Sequence, residues 1–171
     1  MLLSFSTVPE QRSPEMLQAA LDALGRLDVH VVATTCGTVD PADLVAAPNT
    51  HLVEFADHDA LLTRAALVVG HGGHGTTMRA LRAGVPFLGI PAKGGDQLPI
   101  TRLMEEWHVG RALPGDADAT QIGDAAAAVL ADPSYAAAAV ERSRAFTGIA
   151  DGAQLAADSV ESVLATVPAR P

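Results

Sequence analysis

The chain is short of what holds secreted proteins together and of what anchors membrane proteins. Cys36 is the only cysteine among 171 residues, so no intrachain disulfide can form. That fits a reducing compartment, and a cytoplasmic location is expected. No apolar run approaches the roughly 20 residues that span a bilayer, so no membrane span is expected. The amino terminus carries no basic segment followed by an apolar core, so no signal peptide is expected. Positive charge is scarce: 11 Lys and Arg stand against 20 Asp and Glu, a formal net charge of −9. Nucleic acid is a poor partner for such a chain, because it demands a basic stripe. Internal repeats, low-complexity tracts and linkers are also lacking, so residues 1–171 are read as a single domain.

What remains is enough to fold. Apolar residues make up 49% of the chain, which supplies a sizeable core and argues against disorder. Six short apolar runs read as strands: Met1 to Phe5, Val29 to Thr34, Leu52 to Phe55, Ala66 to Val69, Pro86 to Ile90 and Val109 to Leu113. Helical patterns lie between and after them. Ser13, Pro14 and Glu15 read as N-cap, first helical residue and early acid of a helix reaching about Leu27. Pro41 to Val45 allow a short turn of helix. Asp57 can cap a helix running to Ala65, and further helices are expected over Thr76–Ala83, Gln97–Glu106, Thr120–Leu130, Pro133–Phe146 and Gly152–Ala165. Strands alternating with helices demand a parallel sheet covered on both faces. The fold class is therefore α/β, a doubly wound, Rossmann-like parallel sheet with expected strand order 3-2-1-4-5-6.

Residues 66 to 97 are the centre of this pattern. Gly70 to Gly75 place four glycines in six positions, interrupted by His71 and His74. The loop follows a strand and opens a helix that Gly84 ends. Open α/β sheets bind ligands at such loops. Glycines let a ligand approach the backbone, and the N–H groups of Gly75, Thr76 and Thr77 at the helix start form an anion site. Thr76 adds a hydroxyl and His71 an imidazole N–H. No lysine takes part and G-x-x-x-x-G-K-[ST] is absent, so the loop is not a P-loop. With the net charge unfavourable, an anionic ligand has to be held by local backbone dipoles.

A different reading competes for the same loop. Gly70, Gly72 and Gly75 match G-x-G-x-x-G, and Asp96 lies 21 residues beyond Gly75, as in a dinucleotide fingerprint. That fingerprint belongs to the first βαβ unit and this loop follows the fourth strand. Its acid also ends the next strand, whereas residues 91 to 95 separate Asp96 from that strand. His71 and His74 as a metal pair fail on number, since two ligands make no site.

His71, Gly73, Thr76, Gly84-Val85-Pro86 and Asp96-Gln97 stand at the spacing of H-x-G-x-x-[ST]-x-x-E, G-V-P and D-Q. In these residues the chain resembles the donor-sugar region of the UDP-glycosyltransferases, the large family 1 of GT-B enzymes. The H-G-G-x-G-T loop is similar to that of bacterial antibiotic-tailoring members. The resemblance implies the carboxyl-terminal, donor-binding half of a glycosyltransferase, working on a UDP- or dTDP-sugar. It implies that an acceptor-binding half, as domain or subunit, lies outside the chain together with the catalytic base. The isolated chain is then expected to bind donor and transfer nothing. No cofactor or metal is implied.

The resemblance also implies roles. His71, Gly73, Gly75 and Thr76 fall to the donor phosphates, with Ser6 and Thr7 as hydroxyls near the β-phosphate. Phe55 and Ala56 stand where the family holds the nucleotide base, and Asp96 and Gln97 where it holds the sugar hydroxyls. Each has a plainer reading: Ser6 and Thr7 as turn residues, Phe55 as core, Asp96 as a helix cap. Arg79 departs from the family, standing in place of its ribose-holding glutamate. It is left between a phosphate contact, another part of the donor, and solvent. A non-catalytic nucleotide-sugar-binding module and a nucleotide-sugar epimerase remain alternatives, the latter disfavoured by G-V-P with D-Q. The last helix crosses to the other half in complete GT-B enzymes; here it either packs on its own half or exposes an apolar strip.

Overall fold

The computed structural model of the chain describes residues 1–8, 13–92, 96–146 and 152–166. Six strands pair in parallel: β1 (Leu2–Ser4), β2 (Val31–Thr34), β3 (Thr50–Val53), β4 (Val68–Gly70), β5 (Phe87–Gly89) and β6 (Gly110–Ala112). Their order is β3-β2-β1-β4-β5-β6, as the alternation of elements predicts. The register puts Leu2 beside Val68 and Val68 beside Phe87, with Leu3, Val69 and Leu88 forming the next row. Successive side chains point to opposite faces, so these two rows found two cores.

The row of Leu3, Val69 and Leu88 packs under α1 (Pro14–Leu24) and α5 (Ala119–Ala131), through Leu17, Leu21, Leu24, Ile122 and Val129. The row of Leu2, Val68 and Phe87 packs under α2 (His58–Leu62), α3 (His74–Ala83), α4 (Gln97–Glu106) and α6 (Pro133–Arg144), through Leu62, Leu81, Met104 and Ala139. Burial on both faces explains why these strands read as continuous apolar runs rather than alternating ones. Truncating a buried leucine in either row costs about 2–5 kcal/mol.

Several boundaries differ from the sequence reading. Helix α1 stops at Leu24, not Leu27, because Arg26 and Leu27 bond back only three residues, to the carbonyls of Ala23 and Leu24. The Asn49 amide then donates to the carbonyls of Leu24, Leu27 and Val29 at 3.2, 3.1 and 3.0 Å, closing off the helix end. Strand β3 lies two residues earlier than expected, so Phe55 falls outside it. Helix α3 begins at His74, with Gly73 as N-cap, rather than at Thr76; Gly84, left-handed at φ 68°, ends it. The caps at Ser13, Asp57, Asp118 and Asp132 all form, each side chain accepting backbone N–H groups of its own first turn. Helix α7 (Gly152–Thr166) exposes Leu155, Val160, Val163 and Leu164, the second of the two outcomes expected for it. Among the described residues no helix is long and apolar enough to cross a membrane.

Candidate functional site

The order of strands reverses between β1 and β4, and a cleft of about 480 Å³ opens there, outside the carboxyl ends of the strands. The residues to which the resemblance assigns donor contacts all line it, with Arg79: Ser6, Thr7, Phe55, Ala56, His71, Gly73, Gly75, Thr76, Asp96 and Gln97. Sheet topology brings them together from four separate loops.

The floor is polar. Thr34, ending β2, donates its hydroxyl to Ser4, ending β1, at 2.9 Å. The Cys36 sulfur lies 3.3 Å from the Thr34 hydroxyl and 3.6 Å from that of Ser4. Cys36 reaches inward because Thr35 to Thr38 form a tight turn. The Thr38 N–H donates to the Thr35 carbonyl at 3.1 Å, with Cys36 and Gly37 left-handed at φ 56° and 67°. That is a type I′ pattern, in which a non-glycine first position is strained. Ser6 is buried, and its oxygen accepts the Val8 N–H at 3.0 Å while its own proton stays free to donate. Thr7 is exposed at the rim.

Beside the turn, the Phe55 ring rests on Gly37, where a Cβ would stand 3.4 Å from Cζ. Phe55 is 63% exposed, which rules out the core reading. Its other face is open at the cleft edge among the described residues.

The glycine loop forms the opposite wall. Gly72 takes φ 85°, and a Cβ there would run into the Thr101 methyl of α4. The loop therefore packs tightly against α4 on one side. At Gly75 the reverse holds: a Cβ would meet nothing within 4 Å. The fold leaves open space there, at the first turn of α3. The Thr77 N–H donates to the Gly73 carbonyl at 3.1 Å, so it is not part of the anion site expected for it. Because α3 starts two residues early, the unbonded N–H groups are those of His74, Gly75 and Thr76. His71 is half-buried, and its Nδ1 is enclosed without a hydrogen-bond partner. Burial holds the imidazole below its ordinary pKa, with Asp96 pulling weakly the other way.

The two sugar-region residues divide. Asp96 is the N-cap position of α4 but makes no capping bond, so the cap reading fails; its carboxylate lies 3.8 Å from His74 Nδ1. Gln97 is only 2% exposed, and its Oε1 accepts the Ala92 N–H at 3.1 Å. Only its amide N–H groups remain for a ligand.

Arg79 is neither buried nor free. Its Nε lies 3.6 Å from Asp59 Oδ1 of α2, and it borders the cleft beside His58. His58 was not among the residues singled out by sequence. Its Nδ1 is enclosed without a partner, and its pKa is lowered by burial and then by Arg79, against the opposing pull of Asp59 and Asp57. Ser4, Thr34 and Cys36 were missed as well. Ser4 and Thr34 had one signal, a polar residue within the last two positions of an apolar strand run; Cys36, two residues beyond its run, had none. Among the described residues no group of three or more His, Cys, Asp or Glu is placed to hold a metal.

The chain is a doubly wound α/β domain with a cleft at its switch point, and its relatives are glycosyltransferases. Residues 18–150 match the family described as "Erythromycin biosynthesis protein CIII-like, C-terminal domain", and the chain belongs to that family. It is 28% identical over 154 residues to the NDP-glycosyltransferase YjiC of Bacillus licheniformis, covering 89% of this chain and 38% of that one. The calicheamicin glycosyltransferase CalG4 superposes with a TM-score of 0.84 at 27% identity, over 98% of this chain and 42% of that one. The spinosyn rhamnosyltransferase SpnG, in complex with thymidine diphosphate, superposes with a TM-score of 0.66 at 27% identity, over 84% and 40%. The chain thus spans less than half the length of these relatives, and corresponds to their carboxyl-terminal part.

Proposed function

We propose that the chain holds the nucleoside-diphosphate sugar, a UDP- or dTDP-sugar, for an inverting glycosyltransferase that moves the sugar to a small natural-product acceptor. The observation that carries this reading is the open first turn of α3. Unbonded N–H groups of His74, Gly75 and Thr76, with no side chain at residue 75, leave a helix N-terminus free to receive the pyrophosphate. The other roles are carried over from the family resemblance onto residues that line the same cleft. Phe55 and Ala56 cover the base, and the Ser6 and Thr7 hydroxyls and His71 reach the phosphates. Asp96 and the amide of Gln97 take the sugar hydroxyls, a carboxylate accepting and an amide donating.

In the transfer step negative charge develops on the departing nucleoside diphosphate. Donors already aimed at those oxygens stabilise it without reorganising. The residues of this chain therefore act on the leaving group. The acceptor hydroxyl gives its proton to a base in the acceptor-binding half. Names among the relatives support both ends: YjiC is an NDP-glycosyltransferase, SpnG is seen with thymidine diphosphate, and CalG4 is a calicheamicin glycosyltransferase.

Calorimetric titration with UDP and dTDP tests the donor half of the proposal, and binding of at least one is expected. Joining the chain to an acceptor-binding half and assaying sugar transfer tests the rest. A folded joined protein that transfers nothing across a broad donor and acceptor panel would favour a non-catalytic binding module instead.

A further inference from the structure

Two exposed side chains face each other across the mouth of the cleft. His74 is the first residue of α3 and Asp96 the N-cap position of α4, so each stands where a loop leaving the sheet turns into a helix. Their side chains are 71% and 74% exposed, and Nδ1 of His74 lies 3.8 Å from Oδ2 of Asp96. At that separation the contact is a charge attraction, present when the imidazole is protonated, and not a hydrogen bond. Neither side chain makes a further ion pair or a hydrogen bond among the described residues. An aspartate at a helix N-cap normally folds back onto its own helix. This one turns instead toward the neighbouring helix.

We propose that His74 is a positioning residue for Asp96: it holds one carboxylate oxygen and leaves Oδ1 aimed at a hydroxyl of the donor sugar. The inference rests on the donor reading above and deepens it at the sugar end. A free aspartate at a cleft mouth samples several rotamers, and a ligand has to select one. A side chain held by one oxygen presents the other in a fixed direction, so less ordering remains at binding. The His74 side chain serves only the sugar moiety, while its backbone N–H faces the phosphates and survives any substitution that keeps the helix.

The experiment measures, for the chain as it stands, how much tighter UDP-glucose binds than UDP, and dTDP-glucose than dTDP. The parent, His74→Ala, Asp96→Ala, the double variant and His74→Asn are compared by calorimetry, with melting temperatures to confirm folding. An exposed pair of this length predicts that His74→Ala lowers the gain from the sugar about two- to five-fold, whatever it does to the bare nucleotide. Asp96→Ala lowers that gain further, and the double variant is no worse than Asp96→Ala alone. His74→Asn, which keeps an N–H but loses the charge, restores little of the gain. A purely structural His74 would shift nucleotide and sugar nucleotide alike, or neither. Full retention of the gain in His74→Ala, or losses that multiply in the double variant, overturns the inference and leaves the donor reading intact. A parent that gains nothing from the sugar removes the Asp96 role and this inference, leaving the phosphate site standing. A parent that binds neither nucleotide overturns both.

Discussion

The ring edge of His71 that carries Nε2 lies against Gly73, so close that a Cβ on residue 73 would stand 2.5 Å from that nitrogen. The absence of a side chain at 73 is what lets the imidazole lie beside the start of α3. A hydrogen bond from His71 to a charged phosphate oxygen contributes about 1.5–3 kcal/mol. His71→Ala is expected to weaken UDP or dTDP binding by roughly ten- to a hundred-fold, since ~1.4 kcal/mol is one decade. Unchanged affinity in calorimetry sinks the phosphate assignment.

Gly75 separates folding from binding. Nothing of the fold lies within 4 Å of a Cβ added there, and the residue is helical. Gly75→Ala is expected to keep the fold's stability or raise it, by up to the ~0.5–1 kcal/mol that alanine gains over glycine in a helix, so the melting temperature does not fall. The methyl occupies the space proposed for the pyrophosphate, so nucleotide affinity drops at least about ten-fold, a loss of ~1.4 kcal/mol. Gly72→Ala behaves oppositely and destabilises, because φ is 85° and Thr101 fills the space. Melting curves and titrations of both variants check the contrast.

Cys36 carries strain that glycine would relieve. At φ 56° an ordinary residue is held about 1–2 kcal/mol above its relaxed conformation. Cys36→Gly loses the buried sulfur and gains this relief, so its melting temperature stays within about 4 °C of the parent. Cys36→Val places a β-branched side chain in the same conformation and lowers stability more. Thermal unfolding of the two variants decides; equal losses exclude strain as the cause.

Acid should weaken the fold through two histidines. Burial lowers the pKa of His71, and burial with Arg79 lowers that of His58. As pH falls, the unfolded chain therefore takes up these protons before the folded one. Their stability contribution is fully present above the ordinary value of about 6.5 and is lost as pH drops below it through the lowered folded values. Replacing both by glutamine should flatten the fall in melting temperature between about pH 7.5 and 5.5. An unchanged slope refutes the assignment to these two residues.

Phe55 should matter to ligand and not to fold. It is 63% exposed, so Phe55→Ala leaves the melting temperature within about 2 °C, the range of surface substitutions. A base stacked on the ring gains about 0.5–1.5 kcal/mol beyond area burial, so nucleotide affinity falls several-fold or more. Titration with UDP and dTDP measures it.

The sequence by itself determined the architecture and the address of the cleft. Alternating apolar runs and helical patterns specify a covered parallel sheet, because each strand must bury both faces and each crossover has one hand. The spacing of His71, Gly73, Thr76, Gly84 and Asp96 specified the loop, the helix and the next strand. These are local facts, decided by residues close in the chain. Tertiary structure alone decided the rest. Helix α3 starts at His74, capped by Gly73, because the Thr77 N–H finds the Gly73 carbonyl, which moves the open N–H groups one residue toward the amino end. Gln97 turns inward to brace Ala92, and Phe55 lies out on Gly37. His74 meets Asp96, and Arg79 meets Asp59, only because the sheet sets β4 beside β5 and packs α2 against α3. Such pairs join residues 22 and 20 positions apart, and no periodicity records them. Their existence depends on register and packing, which the chain acquires only when it folds.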